Sequence, residues 1–311
     1  MADGLSFTIS ETEGQKAPPL PVQEPVGNIM DGRVFMMKAG GFGAIETSDN
    51  FEPSQETDAL DNIRANGKHK LPYLRYREPR PETLLIVGGG PSLLKTFPTL
   101  KEKIAAGGKV FAVNDTHDWL IKRGILPDYM GCIEVAPWPR GKFCTLANDH
   151  TEYLLASIGH PTIIEHVLGK KITVYHPWCG IGEDPVINEF DHGGVIVYGA
   201  EAISIRALNL GKILGFSKFE MFGVDGSFQD NMPSHAYFDE KHKWPVVNFF
   251  CAGRSFRSTF YLARQVDDLR RVLALCDVLR DLKTHGDGML QHMHRTLYPN
   301  QYQDEKEEMA A

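Results

Sequence analysis

From Pro81 onward, short apolar runs rich in Val, Ile and Phe alternate with stretches of helical length. Runs of this kind at 83–87, 109–113, 129–133, 162–165, 172–175 and 219–223 are too continuously apolar for half-exposed strands and predict strands buried on both faces. Between them, 92–106, 115–123 and 198–214 carry helical spacing. Strand and helix in alternation predict an α/β fold: a Rossmann-like, mostly parallel sheet flanked by helices. Farther on, Phe260, Val266, Leu269, Leu273, Cys276, Leu279 and Leu282 form one apolar stripe, predicting a single amphipathic helix over 256–283 that packs on its own sheet.

The ends read differently. Residues 1–80 hold Pro18, Pro19, Pro21 and Pro25, scattered glycines and an acidic stretch but little sustained periodicity, the pattern of an irregular N-terminal arm that packs on the core or on another subunit of a homo-oligomer. Residues 81–285 form the predicted Rossmann-like domain, and 286–311 a C-terminal tail with a short helix at Met289 to His294 and a charged, solvated end.

Composition narrows the class. A length of 311 residues with 42% hydrophobic content suits one large domain with appendages. A net charge of −7 argues against nucleic acid as a general partner. The five cysteines include no C-x-x-C pair, so neither a disulfide framework nor a zinc knuckle is indicated. With no apolar run long enough to span a membrane and no basic-then-apolar leader, a cytoplasmic location is expected.

In parallel sheets of this kind ligands lie beyond the carboxyl ends of the strands, so strand-end residues are where chemistry is sought. The first strand breaks into Gly88, Gly89 and Gly90, followed by Pro91 and Ser92. Such a turn lets the backbone approach an anionic ligand and opens a helix whose first N–H groups lack partners. It reads as a phosphate seat for a nucleotide, or as a tight strand-to-helix turn alone. Leu93 stands where a dinucleotide fingerprint has its third glycine, and no glycine precedes Lys95-Thr96 as a P-loop requires.

Other strand ends add candidates. Asn114 and Asp115 suit either a helix cap or a ligand contact. Glu134 could hold Mg2+, accept ribose hydroxyls or simply be solvated, and Trp138 after it offers a ring wall or ordinary packing. Tyr198 and Gly199 read as a turn into a helix, which either packs closely on the sheet or touches a second part of the nucleotide. Asp225 ends a strand, and the polar loop after it carries His235, whose side chain suits general-base work on a hydroxyl; His242 competes for that role.

The order of Gly88-Gly89-Gly90-Pro91-Ser92-Leu93, Phe111-Ala112-Val113-Asn114, Pro127-Asp128-Tyr129, Tyr198-Gly199, Gly223-Val224-Asp225 and His235-Ala236-Tyr237 resembles the MptE-like family. That family groups archaeal 6-hydroxymethylpterin diphosphokinases with motility-accessory proteins tied to flagellin glycosylation. The order is also similar to that of bacterial sialyltransferases using a cytidine-monophosphate sugar. The resemblance implies a nucleotide-sugar donor held by Gly90, Ser92 and Asn114, with His235 as base toward a hydroxyl acceptor and Asp225 positioning its loop. A diphosphokinase would instead use ATP with Mg2+, for which the single carboxylate Glu134 is a sparse ligand set. A non-catalytic nucleotide-binding or assembly protein is the third reading, expected if His235 and Asp225 lie far from the glycine turn.

Overall fold

The computed structural model describes residues 9–10, 53–137, 144–200, 202–229, 235–236, 246–275 and 281–302. In chain order the elements are β1 (Ile9–Ser10), α1 (Pro53–Gly67), β2 (Arg80–Val87), α2 (Leu93–Ala105), β3 (Lys109–Val113), α3 (Thr116–Ile121) and β4 (Tyr129–Cys132). Then come β5 (Glu152–Ala156), α4 (Pro161–His166), β6 (Lys171–Pro177), α5 (Asp184–Asn188), β7 (Ile196–Val197), α6 (Ile203–Ile213) and β8 (Phe216–Phe222). The chain continues through β9 (Val247–Cys251), β10 (Arg254–Ser258), α7 (Phe260–Leu275), β11 (Leu282–His285) and α8 (Met289–Leu297).

Eight strands form one sheet in the order β11-β8-β2-β3-β4-β5-β6-β7, every pairing parallel, while β1, β9 and β10 form a small antiparallel sheet. The predicted α/β class and helix-flanked parallel sheet are therefore observed. The strand sequence runs outward from β2 to β7, then jumps back to place β8 on the other side of β2. This reversal makes the carboxyl ends of β2 and β8 the topological switch point, where open α/β sheets form their ligand crevice.

Side-chain alternation along the strands splits the core into layers. Leu84, Ile86, Phe111, Leu154 and Ala156 join the face covered by α1, α6, α7 and α8. On the opposite face, Leu85, Val87, Val110 and Ala112 pack with α2 and α3 residues, and Tyr153, Leu155, Ile172 and Val174 pack with α4. Each fully buried leucine or isoleucine contributes roughly 1.5–3 kcal/mol by leaving water, which explains why the middle strands carry few polar residues.

Several expectations are corrected. The stretch 162–165, read as a strand, lies in α4: Pro161 occupies the first turn and the His160 side chain accepts from Thr162 N at 3.3 Å. The strand in that region is β5, hidden from pattern reading because it begins with a charge. Glu152 is 1% exposed, is bonded by Arg77, Thr173 and Lys171, and has its pKa pulled down to about 2. Burial opposes that shift, and the three partners together outweigh it.

The single helix read over 256–283 is instead strand, helix and strand. Thr259 Oγ1 accepts from Leu262 N at 3.2 Å and starts α7 after β10, while β11 alternates buried and half-buried positions at the sheet edge. The region read as an N-terminal arm contains α1, whose Ala59 and Ile63 enter the main core. Asn62 and Asn66 of α1 donate to the carbonyls of Val135, Ile158, Ser157 and Gly159, stapling the loops after β4 and β5. Residues 11–52, on which the arm and homo-oligomer reading chiefly rested, lie outside the described residues. Residues 286–302, read as tail, pack inward through Met289, Leu290 and Met293.

Candidate functional site

The glycine turn is built into the switch point by backbone bonds. Gly88 N donates to Phe222 O at 2.8 Å and Gly90 N to Gly223 O at 2.7 Å, tying the end of β2 to the end of β8. The approach is close enough to require glycine: a Cβ on Gly88 would meet Gly223 O at 2.6 Å, and one on Gly90 would meet the same oxygen at 2.8 Å and the Asp225 carboxylate. Gly223 itself has φ of 61°. These glycines thus serve a strand-to-strand clasp, whatever a ligand asks of them.

Beneath the turn lies Asp225, 3% exposed, with Oδ2 accepting from Ser92 N at 2.9 Å. An internal carboxylate therefore sits at the amino end of α2, where a helix favours negative charge. Ser92 is fully buried, and its Oγ faces Gly286 rather than solvent. Asp225 Oδ1 is buried with no hydrogen-bond partner among the described residues. Burial penalises the charge, Ser92 and Gln291 only partly compensate, and the pKa is pushed up to about 6.

The third wall comes from the β11–α8 connection, which sequence reasoning missed. Gly286 abuts Ser92 and Gly288 abuts Asp225, while Gln291 Nε2 donates to Val224 O at 3.1 Å and His285 O at 3.2 Å. Met289 N donates to Ser227 Oγ at 3.0 Å. The available signal was the pair Gly286 and Gly288 directly before a helix.

Asn114 stands beside the turn. Register pairs Val87 with Ala112, so Asn114 is level with Gly89 on the adjoining strand. Its φ is 48°, a conformation that Asn tolerates better than most residues, and its Oδ1 is buried without a hydrogen-bond partner among the described residues. Asn114 O accepts from His117 N at 3.2 Å, whereas Asp115, at the start of α3, makes no side-chain cap bond. The capping alternative for this pair is thus carried by backbone.

Of the loop after β8 the described residues include His235 and Ala236. Ala236 N donates to Gly89 O at 2.8 Å, which fixes half-buried His235 beside the glycine turn. Asp225, His235 and the turn are therefore together, and the condition set for the non-catalytic reading, that they lie apart, is not met. Trp138 and His242 lie outside the described residues.

Glu134 and the Tyr198-Gly199 pair are placed elsewhere. Glu134 is exposed beyond β4, two strands from β2, with Oε1 accepting from Ala136 N at 3.3 Å. Among the described residues no group of three or more His, Cys, Asp or Glu is arranged to hold a metal ion. Tyr198 follows β7, five strand positions from β2. The chain there does not open a helix: α6 starts at Ile203 after an extended Ala202. Gly199 has φ of 148° and its carbonyl accepts from Arg206 Nη2 at 3.4 Å. Among the described residues no helix is long and apolar enough to cross a membrane.

A protein-family model, 6-hydroxymethylpterin diphosphokinase MptE-like, matches residues 57–231. Among solved structures, the MAf glycosyltransferase from Magnetospirillum magneticum AMB-1 is similar in fold, with a TM-score of 0.56 at 12% identity over 86% of this chain. The chain spans 48% of that protein's length. A mammalian sialyltransferase in complex with Gal-beta-1-3GalNAc-ortho-nitrophenol aligns with a TM-score of 0.34 at 11% identity, over 77% of this chain and 88% of the other. No curated protein matches the chain in sequence.

Proposed function

The chain belongs to the MptE-like family, and we propose that it is a nucleotide-dependent transferase moving a sugar from a nucleotide-sugar donor to a hydroxyl acceptor. The observation that carries this reading is the convergence of the glycine turn, Asn114, Asp225 and His235 at the β2–β8 switch point. The nucleotide lies on the open side of the turn, against half-buried Gly89 and Gly90 and the Asn114 amide. Lys95, exposed in the first turn of α2, is a cation where the helix dipole disfavours one, and a bound phosphate turns that cost into an attraction.

In the transfer step the acceptor oxygen bonds to the anomeric carbon of the donor sugar as the bond from that carbon to the nucleotide's phosphate oxygen breaks. The hydroxyl proton passes to the His235 imidazole, and the leaving phosphate is stabilised by Lys95. Asp225 does not touch the reactants. It is a positioning residue that fixes the turn through Ser92.

A second reading rests on the family description, which names a diphosphokinase. The same turn would then hold ATP with Mg2+, and Glu134 is too far along the rim to be an evident ligand. Thermal-shift titration with CMP, CDP, UDP, GDP, ADP and ATP, with and without Mg2+, separates the two. A metal-independent response to a sugar-carrying type of nucleotide is expected; a response confined to ATP with Mg2+ transfers the assignment to the diphosphokinase, and no response to any nucleotide removes both.

A further inference from the structure

At the far end of the same carboxyl rim two aromatic rings stand in the open. Trp178, directly after β6, is 48% exposed and Tyr198, directly after β7, is 62% exposed. They stack with centroids 5.6 Å apart and planes 28° from parallel. Leaving two large apolar rings in water is costly, and the backbone beneath them is held by buried polar side chains.

Glu183, 2% exposed, accepts from the N–H groups of Cys179, Gly180 and Ile181 at 2.7, 3.3 and 2.9 Å, locking the loop that follows Trp178. Arg206, also 2% exposed, donates to Val197 O at 2.5 Å and Gly199 O, on either side of Tyr198. Asn209 Nδ2 donates to Tyr198 O at 2.8 Å, and Trp178 N to Val197 O at 3.0 Å. A buried carboxylate and a buried guanidinium are thus committed to presenting an exposed ring pair in one fixed orientation.

We propose that Trp178 and Tyr198 form a stacking platform for a pyranose ring of the acceptor, an inference that rests on the glycosyl-transfer reading. The ring face is electron-rich and meets the C–H face of a sugar favourably. Among the described residues the exposed large apolar side chains of these two loops are the two rings, with no exposed aliphatic neighbour of the kind a lipid or a protein core patch would use. The platform is four to five strand positions from the glycine turn, roughly 20 Å at ordinary strand spacing. That is beyond the reach of the base of a nucleotide seated at the turn, but within reach of an acceptor several sugars long.

The test uses the full chain without nucleotide on a printed panel of di- to pentasaccharides, followed by titration of the best binder. Wild type is expected to bind, with at least a tenfold loss in Trp178→Ala and in Tyr198→Ala and partial retention in Trp178→Phe, which keeps a ring. Nucleotide thermal shifts are expected to be the same in all four proteins. Binding to no saccharide, or binding unchanged in both alanine variants, overturns the platform even when the nucleotide response is intact. A missing nucleotide response in wild type overturns the transferase reading separately.

Discussion

The two ends of the carboxyl rim are built in opposite ways. At the switch point the glycine turn is closed on itself: its N–H groups serve Phe222, Gly223 and Asp225, and its carboxylate is buried. At the β6–β7 end the polar groups are buried and the rings face outward. The first region buries a carboxylate beneath a tight turn, and the second leaves apolar rings in water. Only at the second would a partner relieve the cost, since a ring stacked on Trp178 and Tyr198 covers apolar surface, whereas a phosphate above an ionised Asp225 adds to it.

Removing the base should have the largest effect. His235→Ala is expected to lower turnover by roughly 100- to 10,000-fold with nucleotide affinity unchanged; full turnover would take chemistry away from the switch point. Next is the clasp. Gly90→Ala pushes a methyl group into Gly223 O and the Asp225 carboxylate, and chemical denaturation should show a loss of about 1–3 kcal/mol together with a weakened nucleotide response. An unchanged midpoint would mean that the two strand ends are not held as described.

Asp225→Asn should act in the opposite direction on stability. The folded-state pKa is about 6 against an ordinary 3.8, so the native state holds a proton that the unfolded chain has released between those values. Wild-type stability from this group is present below the ordinary value and is lost as pH rises through 6. The neutral amide avoids that loss, so at pH 8 the variant should gain up to roughly 3 kcal/mol, a gain that vanishes near pH 4. His294 runs the other way in the same window: burial lowers its pKa to about 4, so stability falls as pH drops below its ordinary 6.5. Comparing variant with wild type at each pH cancels the histidine. The smallest effect belongs to the open end, where Trp178→Ala should shift the unfolding free energy by no more than about 0.5 kcal/mol, since the ring is half in water.

Much of the switch point was legible in sequence. The run into Gly88–Gly90, the Pro91-Ser92 helix start and the strand-end Asp225 are local patterns with local causes. Their meeting is not local: the Ser92–Asp225 bond joins strands that are neighbours only because the strand order reverses, and no spacing in the chain announces it. The same holds for Gly286 and Gly288, which close the site from the sheet edge. Strand β5 escaped because Glu152 disguises its start, and α4 was misread because Thr162, Ile163 and Ile164 favour strands while His160 and Pro161 set a helix. Trp178 drew no attention because its exposure depends on the Glu183 clasp, which only the folded loop displays.

The central claim is that a nucleotide binds at the turn directly above the buried Asp225 carboxylate, and calorimetric titration across pH tests it most directly. With the best nucleotide of the thermal-shift panel, wild-type affinity should weaken as pH rises from 5.5 to 7.5, because ionised Asp225 repels the phosphate, whereas Asp225→Asn should lose that component of the pH dependence. The same pH dependence in both proteins, or no binding at any pH, would contradict it.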